Sequence, residues 1–371
     1  MFLTTVFDIN KEVPIKHIAK TAVVDMDSVS YHVAAAAETP SIIVTHKEAG
    51  WSEEFKNRTV FKGRAKKNIG GWLADQNETR EANELEPFAV EDFEIVDHYV
   101  AEPVENALYS VKQKIKSIKE RCKELVRAEE FILLMGEGDS HRSSLKLPRK
   151  YKSNRDDLHR PILLKGVRDY CHKHQGTRIV TGIEADDALC MYGYKGWQDW
   201  KKTGKFSYCQ VTEDKDSMQT NGLIINPRKK DTKWIYDEPF LIDGLGSLYR
   251  NEKGDVKGSG FAWLMYQTFG DKCDGYDCTY LTNKRYGFAD VSRYETLKDC
   301  ITPTEYLQTV LDKYTELFGD RVQYEAWDGT EMDIPIVEYI EMHFCCCYML
   351  RNRCDTTTFK GLCRKYGVKI C

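Results

Sequence analysis

Residues 178–187 read RIVTGIEADD, a short apolar run followed at once by the carboxylates of Glu184, Asp186 and Asp187. Three other apolar runs end in the same way: TAVV meets Asp25, FILLMG meets Glu137 and Asp139, and YCQVT meets Glu213, Asp214 and Asp216. Runs of this length and composition are typical of buried strands. The carboxyl ends of parallel strands share one edge of a sheet, and ligand sites of α/β sheets lie there. The sequence therefore predicts a sheet edge crowded with carboxylates.

The segments between these runs are predicted to be helical. Residues 103–129 carry apolar side chains at three- and four-residue steps, with lysines and glutamates between them, which is the pattern of an amphipathic helix. Further helices are predicted at residues 161–174, 185–194, 260–269, 303–318 and 335–353. Strands that alternate with helices favour an α/β fold with a mostly parallel twisted sheet, flanking helices and a helical C-terminal region.

Residues 38–100 interrupt this alternation. SIIVTHKEAGW (41–51) and RTVFKGR (58–64) are predicted to form a hairpin. The acidic and polar stretch that follows them favours an insertion that is partly irregular.

Carboxylates that gather at one edge need positive charge beside them, because like charges a few ångströms apart raise one another's pKa and oppose folding. Mg²⁺ or Mn²⁺ would supply that charge, since hard cations take oxygen ligands. Asp271 and Asp274, farther along the chain, add two more acids. Two ions about 3.5–4 Å apart would be able to activate a water and stabilise the leaving oxygen of a phosphodiester.

Composition limits the class of protein. The 371 residues carry a formal net charge of −4, which is not that of a protein that coats DNA, yet allows an acidic site with a basic approach. The N-terminus has charged residues within its apolar stretch, so we expect no signal peptide, and no apolar run approaches the ~20 residues of a membrane span. The 13 cysteines lack paired spacing and predict reduced thiols in a cytoplasmic protein. For Cys345-Cys346-Cys347, close to His343, buried helical thiols are favoured over a zinc site.

The acidic blocks also resemble a known family. GIEADD (182–187), TEDKD (212–216) and FGDKCDG (269–275), with YKSNR (151–155) upstream, resemble in order and spacing the 5′-nuclease (flap endonuclease-like, PIN-like) superfamily. They are similar in particular to the 5′→3′ exonucleases of small tailed bacteriophages, relatives of the N-terminal nuclease domain of bacterial DNA polymerase I. The resemblance covers residues 20–280. It implies a PIN-like α/β domain with a helical arch and a helix–three-turn–helix element that grips duplex DNA.

The resemblance implies two groups of metal ligands. A first ion would be held by Asp25, Asp139, Glu184, Asp186 and Asp187, with Glu137 as the alternative to Asp139. A second ion would be held by Asp214, Asp216, Asp271 and Asp274, some of them acting through water. The implied cofactors are two Mg²⁺ or Mn²⁺ ions in each active site.

Basic side chains crowd the segment that follows Asp139. Cations there would be able to neutralise phosphates, and Tyr151 to stack on a frayed base. The resemblance places Lys152 and Arg155 at the base of the arch, as catalytic residues that steer the scissile phosphate. The remaining predicted DNA contacts are Arg142, Lys146, Arg149, Lys150, Tyr151, Lys284 and Arg285.

Beyond Asp274 the chain departs from the family pattern. The family continues into a glycine-rich hairpin that binds duplex backbone and often a potassium ion. Residues 270–290 instead read GDKCDGYDCTYLTNKRYGFAD, with most of those glycines replaced. The replacement argues against a potassium site, and duplex contact would then rely on Lys284 and Arg285.

These expectations combine into one function. The chain would be a metal-dependent 5′→3′ exonuclease, with 5′-flap endonuclease activity as a further option, acting in phage replication or recombination. Its substrate would be DNA with a 5′ end in a duplex, a flap or an RNA–DNA hybrid, and we expect a monomer with no membrane partner. The expected organisation is an N-terminal extension (1–20), a PIN-like nuclease domain (21–258) with an insertion at about 38–100, and a helical DNA-binding region with a degenerate helix–three-turn–helix (259–371).

Three alternatives remain open. A phage RNase H of the same superfamily, which removes RNA primers, would carry the same motifs. A PIN-type ribonuclease would also use acids at strand ends, but would need neither the YKxNR segment nor the G-D-x-x-D block. A DNA-binding scaffold that has lost catalysis would be expected to have lost some acids, and here every expected acid is present.

Overall fold

The computed structural model describes residues 18–64, 70–228, 238–282 and 287–370. They divide into two compact units. The large unit takes its described residues from 1–29, 113–159 and 171–371, and the small unit from 30–112 and 160–170. None of the helices in the described residues has the length and apolar character needed to cross a membrane.

The elements are numbered in chain order. The strands are β1 (Ala19–Asp25), β2 (Glu38–His46), β3 (Ser52–Phe55), β4 (Phe93–Ala101), β5 (Glu130–Ser140), β6 (Arg178–Gly182), β7 (Phe206–Val211), β8 (Gly222–Ile225), β9 (Phe240–Ile242), β10 (Leu248–Arg250), β11 (Val256–Gly258), β12 (Gly270–Asp271), β13 (Tyr276–Asp277), β14 (Arg321–Glu325) and β15 (Glu331–Pro335). The α-helices are α1 (Met26–Ala36), α2 (Arg58–Lys62), α3 (Trp72–Ala82), α4 (Val104–Val126), α5 (Leu164–Gln175), α6 (Ala185–Thr203), α7 (Gly260–Thr268), α8 (Asp290–Leu297), α9 (Pro303–Phe318), α10 (Ile336–Cys347) and α11 (Phe359–Lys365).

The large unit is built on a six-stranded sheet with the order β6-β5-β1-β7-β8-β9. The first five strands are parallel, and β9 is antiparallel at the edge. The four apolar runs that end in acids are β1, β5, β6 and β7, so the predicted α/β class and its mostly parallel sheet are confirmed. Buried side chains of β1, β5 and α6 pack together as Val23, Leu134 and Leu189. The parallel sheet therefore brings the carboxyl ends of these four strands to one edge.

Helix α6 carries Glu184 at its N-cap and packs closely on β7. A Cβ on Gly196 would lie 2.1 Å from the carbonyl oxygen of Tyr208, and one on Gly193 would lie 2.2 Å from the Gln210 amide nitrogen. The helix predicted at residues 185–194 continues past both glycines to Thr203. They remove side chains at a close contact and do not end the helix.

The C-terminal part of the large unit is mostly helical, as predicted, with three short antiparallel hairpins: β10–β11, β12–β13 and β14–β15. The helix predicted at 303–318 is α9, which begins with a capping box of Thr302 and Glu305. The helix predicted at 335–353 ends earlier, at Cys347. Between Ser140 and Leu164 the described chain forms only two short 3-10 helices, so no α-helical arch is seen in that basic segment.

The small unit holds a three-stranded antiparallel sheet with the order β3-β2-β4. The predicted hairpin has the right first strand but the wrong second one, because β2 pairs with β3. RTVFKGR instead contributes α2, since the side chain of Asn57 accepts hydrogen bonds from the first amides of the helix and Phe61 is buried. Phe61 packs with Ile42, Phe93 and other aromatic residues in the core of this unit.

Candidate metal centre

Three aspartates of the large unit could hold a metal ion. Carboxylate oxygens of Asp216, Asp271 and Asp274 lie within 4.8 Å of one another, and all three residues are buried. Asp216 lies in a 3-10 helix that follows β7, Asp271 ends β12, and Asp274 lies in the turn before β13. Opposite ligands of an octahedral Mg²⁺ site are about 4.2 Å apart, since each metal–oxygen distance is about 2.1 Å. The spacing therefore fits oxygen ligands that share one cation.

Three further aspartates belong electrostatically to the same group. Burial, followed by the charges of Asp214 and Asp25, raises the pKa of Asp186 well above its usual value. Burial, followed by the charges of Asp214 and Asp274, does the same to the pKa of Asp216. We call the whole set the acid cluster, and its members are Asp25, Asp186, Asp214, Asp216, Asp271 and Asp274.

Hydrogen bonds from the chain itself hold Asp25 in place. Its carboxylate accepts from the amide of Asp27 at 2.9 Å and from the hydroxyl of Ser28, while the hydroxyl of Thr212 donates to it at 3.5 Å. Burial is the larger influence, and together with the charges of Asp27 and Asp214 it raises the pKa of Asp25 to about 6. An anionic Asp25 therefore needs a compensating charge at neutral pH.

Asp214 is fixed by the turn that follows β7. Its carboxylate accepts from the amide of Asp216 at 2.8 Å, and its own amide donates to the hydroxyl of Thr212 at 2.9 Å. Burial, together with the charge of Asp274, raises the pKa of Asp214. One side chain, Thr212, therefore orients acids that follow two neighbouring strands.

Three cationic side chains form salt bridges with the acid cluster within the described residues. Lys215 pairs with Asp271, Arg155 pairs with Asp274, and the Lys152 ammonium lies 3.9 Å from Asp274 and 2.8 Å from Glu184. Carboxylates therefore outnumber these cations by two to one. Lys215, whose role was open on sequence alone, offsets part of the repulsion among the acids.

The YKSNR segment docks directly on the GDKCDG segment. The amide of Lys152 donates to the carbonyl of Asp274 at 2.8 Å, and the side chain of Asn154 donates to the carbonyl of Lys272 at 2.9 Å. A Cβ on Gly275 would lie 2.9 Å from the Asn154 amide oxygen, and the φ of Gly275 is +75°. Lys152 itself has a φ of 61°, which is uncommon for a residue other than glycine. Two motifs that are distant in sequence therefore form one wall of the site.

Both carboxylate oxygens of Asp187 accept hydrogen bonds from other residues of the protein, so Asp187 is not positioned as a metal ligand. Its two carboxylate oxygens accept hydrogen bonds from Arg142 at 2.7 and 2.8 Å, and one also accepts from the amide of Leu350 at 3.1 Å. Burial alone would raise the pKa of Asp187, yet Arg142 holds it below the usual value. Arg142 is itself fully buried and also donates to carbonyl groups near the end of α10, so its predicted role as a DNA contact is wrong.

Neither Glu137 nor Asp139 is brought into the acid cluster. Both side chains are exposed near the end of β5, which has an irregular register between Glu137 and Ser140. At that end of the strand the amide of Gly136 donates to Asp27 at 2.8 Å. Asp27 also raises the pKa of Asp25, which makes it the acid that our site prediction missed. The D-M-D sequence after β1 was the available signal.

The predicted DNA-binding side chains divide into buried and exposed ones. Tyr151 is buried, and its hydroxyl donates to Asp274 at 3.0 Å, so the ring is not available to stack on a base and that prediction is wrong. Arg149 and Lys150 are exposed, and Lys146 is partly exposed. Lys284 and Arg285 lie outside the described residues.

The donor set and its charge indicate the kind of ligand the site could hold. Hard carboxylate oxygens, closely spaced and in excess over the cations that contact them, match the preferences of Mg²⁺ and Mn²⁺. The cysteine run offers no comparable site, because Cys346 and Cys347 are buried in α10 and burial raises the pKa of the Cys347 thiol to about 12. His343 is buried as well, and its Nδ1 lies 2.6 Å from the Tyr314 hydroxyl.

Comparison with known proteins gives no relative from which to transfer a function: no family model, no curated protein and no solved structure matches the chain.

Proposed function

We propose that the chain is a divalent-metal-dependent nuclease that hydrolyses phosphodiester bonds of DNA with a 5′ end, as a 5′→3′ exonuclease or flap endonuclease. The observation that carries this proposal is the meeting of Asp216, Asp271 and Asp274 with Asp25, Asp186 and Asp214 at the carboxyl edge of the sheet. Five of these six acids, all except Asp25, lie in the motifs through which the sequence resembles the 5′-nuclease superfamily.

The acid cluster would hold Mg²⁺ or Mn²⁺. Asp216, Asp271 and Asp274 would be the ligands of one ion. Asp25, Asp186 and Asp214, whose charges act on one another, would contribute to a second. Bound divalent cations supply Lewis-acid activation of water and of a phosphodiester. The excess of negative charge also makes cation binding favourable, because it relieves repulsion among carboxylates that the fold keeps out of bulk water.

Lys152 and Arg155 would act on the substrate from the wall that the YKSNR segment helps to form. Lys152 forms salt bridges to Glu184 and Asp274, and Arg155 forms one to Asp274, yet the Arg155 side chain is 47% exposed and the Lys152 side chain 26% exposed. Once cations occupy the acids, these two side chains are free to turn toward an incoming phosphate. Positive charge there would orient the phosphodiester and offset charge that develops on it.

Cleavage of 5′-labelled substrates tests the proposal. Blunt duplex DNA, a 5′-flap duplex and an RNA–DNA hybrid are incubated with the protein in Mg²⁺ and, separately, in EDTA. We expect Mg²⁺-dependent release of short 5′-labelled products, and a loss of about a hundredfold or more with Asp216→Asn, which keeps the shape of a ligand but removes its charge.

The matched control is Asp299→Asn, which makes the same change at an exposed aspartate of the large unit. It should cleave at the wild-type rate. The proposal fails if the wild-type protein cleaves none of the three substrates, or if Asp216→Asn cleaves as well as Asp299→Asn. The pattern among the substrates separates a preference for flaps from RNase H-type removal of RNA primers.

A further inference from the structure

An exposed tryptophan lies against the basic segment that precedes the catalytic lysine. Trp327 is at the turn between β14 and β15, and 39% of its surface is exposed. Its indole N–H donates to the carbonyl of Leu145 at 2.8 Å, and its amide donates to the carbonyl of Leu147 at 3.0 Å. The hydroxyl of Tyr324, on β14, donates to the carbonyl of Lys146 at 2.6 Å. The hairpin therefore holds the ring in a fixed orientation beside the basic segment.

Two lysine side chains lie near the Trp327 ring. The ammonium groups of Lys150 and Lys146 lie 5.4 and 6.0 Å from the centre of the Trp327 ring. Nearby in sequence, the Arg149 guanidinium lies 4.2 Å from the centre of the Tyr280 ring. Asp328 neutralises Lys146 through a salt bridge, whereas Arg149 and Lys150 are exposed. The surface thus combines an oriented aromatic ring with exposed positive charge.

We propose that Trp327, Lys146, Arg149 and Lys150, here called the Trp327 platform, bind unpaired nucleotides. Aromatic side chains stack on bases without regard to sequence, and lysine or arginine beside them neutralises the phosphates. Such a surface fits a single strand better than a blunt duplex, because only unpaired bases expose their faces. The ring and the cations together are complementary to a ligand that is flat, aromatic and anionic.

The position of the platform suggests how it serves the acid cluster. Leu147, which holds the Trp327 amide, is five residues from Lys152, and an extended chain spans at most about 3.6 Å per residue, or about 18 Å. A stacked strand advances about 3.4 Å per nucleotide, so about six nucleotides would cover that distance. The platform would then hold the unpaired end of a strand whose junction lies at the acids. This second step rests on the proposed nuclease function, while binding of unpaired nucleotides does not.

Binding of fluorescently labelled oligonucleotides tests the platform directly. Fluorescence anisotropy in EDTA, where cleavage does not interfere, compares single-stranded DNA, single-stranded RNA, blunt duplex DNA and the same duplex with a six-nucleotide 5′ tail. We expect Trp327→Ala to weaken binding of at least one of the two single strands and of the tailed duplex by about five- to a hundredfold. Binding of the blunt duplex should change by less than about twofold.

Two variants keep the result interpretable. Trp327→Tyr retains an aromatic face and should bind single strands within about threefold of the wild-type protein. Tyr109→Ala removes another exposed aromatic ring, on α4, and should have no effect. Thermal unfolding of each variant shows whether the fold is retained.

The outcomes separate this proposal from the proposed function. A loss with single-stranded DNA alone, RNA alone or both supports the platform and identifies the strand it prefers. Equal binding by the wild-type protein and a folded Trp327→Ala variant overturns it, as does an equal loss with the blunt duplex. If the wild-type protein cleaves flaps and Trp327→Ala binds normally, the platform fails and the nuclease stands. If no substrate is cleaved but single strands bind through Trp327, the nuclease fails and the platform stands.

Discussion

Arg142 and Asp187 form a two-pronged ion pair in the interior of the large unit, with N–O distances of 2.7 and 2.8 Å and no exposure of either side chain. Asp187 also accepts from the amide of Glu184 at 3.1 Å and so fixes the first turn of α6. That turn carries Asp186 into the acid cluster. The pair is therefore a positioning device, and its residues need not touch a metal or a substrate.

Breaking this ion pair should be costly. Arg142→Met leaves the Asp187 carboxylate buried without its partner, and we expect the free energy of unfolding to fall by about 3–5 kcal/mol. Urea-induced unfolding measures the change. The double variant Arg142→Met, Asp187→Leu should recover much of the loss, because it buries no unpaired charge. If Arg142→Met is as stable as the wild-type protein, the ion pair between Arg142 and Asp187 does not form in solution.

Lys215 is expected to act as an internal counter-ion of the acid cluster. Lys215→Met removes the charge beside Asp271, so in EDTA the free energy of unfolding should fall by about 1–3 kcal/mol. Saturating Mg²⁺ should stabilise this variant more than it stabilises the wild-type protein, because the cation has more repulsion to relieve. Lys313→Met is the matched control, since Lys313 is equally exposed and pairs with Glu316 away from the acids. An identical response of both variants to Mg²⁺ would contradict this role for Lys215.

The stabilisation by Mg²⁺ should depend on pH. The pKa of Asp25 is raised to about 6, so its contribution favours folding at low pH and is lost as the pH rises through about 6. This rise in the pKa of Asp25 corresponds to about 3 kcal/mol. The gain in unfolding free energy on replacing EDTA with Mg²⁺ should therefore be larger at pH 7.5 than at pH 5.5, where protons already relieve the repulsion.

Comparing Mg²⁺ with EDTA at each pH removes the influence of distant titrating groups. His343 is one such group, because burial lowers its pKa to about 3, and its protonation in the unfolded chain disfavours folding as the pH falls below about 6.5. That effect is the same with and without Mg²⁺. A gain from Mg²⁺ that is equal at the two pH values would count against proton competition at the acids.

Gly196 should be required for the fit of α6 against the sheet. Gly196→Ala would place a methyl group 2.1 Å from the carbonyl oxygen of Tyr208, and we expect a loss of about 1–3 kcal/mol in unfolding free energy. Gly287→Ala is the control, because no atom of the described residues lies within 4 Å of a Cβ there. If Gly196→Ala is as stable as Gly287→Ala, α6 does not pack on β7 as closely as described.

The sequence predicted the sheet and the main acids because both depend on local patterns. A buried strand shows as a short apolar run, and parallel strands bring the residues after them to one edge, so the positions of Asp186, Asp214 and Asp216 followed from the runs alone. The C-terminal end of α6 and the helix at Arg58–Lys62 were harder to predict. Gly196 is required inside α6 because a carbonyl group of another element lies close to it. In α2, the Asn57 cap and the burial of Phe61 outweigh the low helix propensity of the β-branched residues.

The wrong predictions in the site concern residues that are buried by partners distant in sequence. Arg142 and Tyr151 belong to a basic run that is typical of a nucleic-acid contact, yet each is buried by a partner distant in sequence, Asp187 and Asp274 respectively. Trp327, which is 177 residues after Lys150, could not be linked to the basic segment from spacing alone. Which member of a charged run faces solvent depends on such pairings, and no local pattern records them.

The meeting of the acids on one cation site is tested most directly by anomalous diffraction from crystals of the protein soaked in Mn²⁺. We predict an anomalous peak bound by oxygens of Asp216, Asp271 and Asp274, which is absent from Asp216→Asn crystals treated in the same way. A map with no peak at these three carboxylates in the wild-type protein would contradict the metal centre, and with it the proposed nuclease.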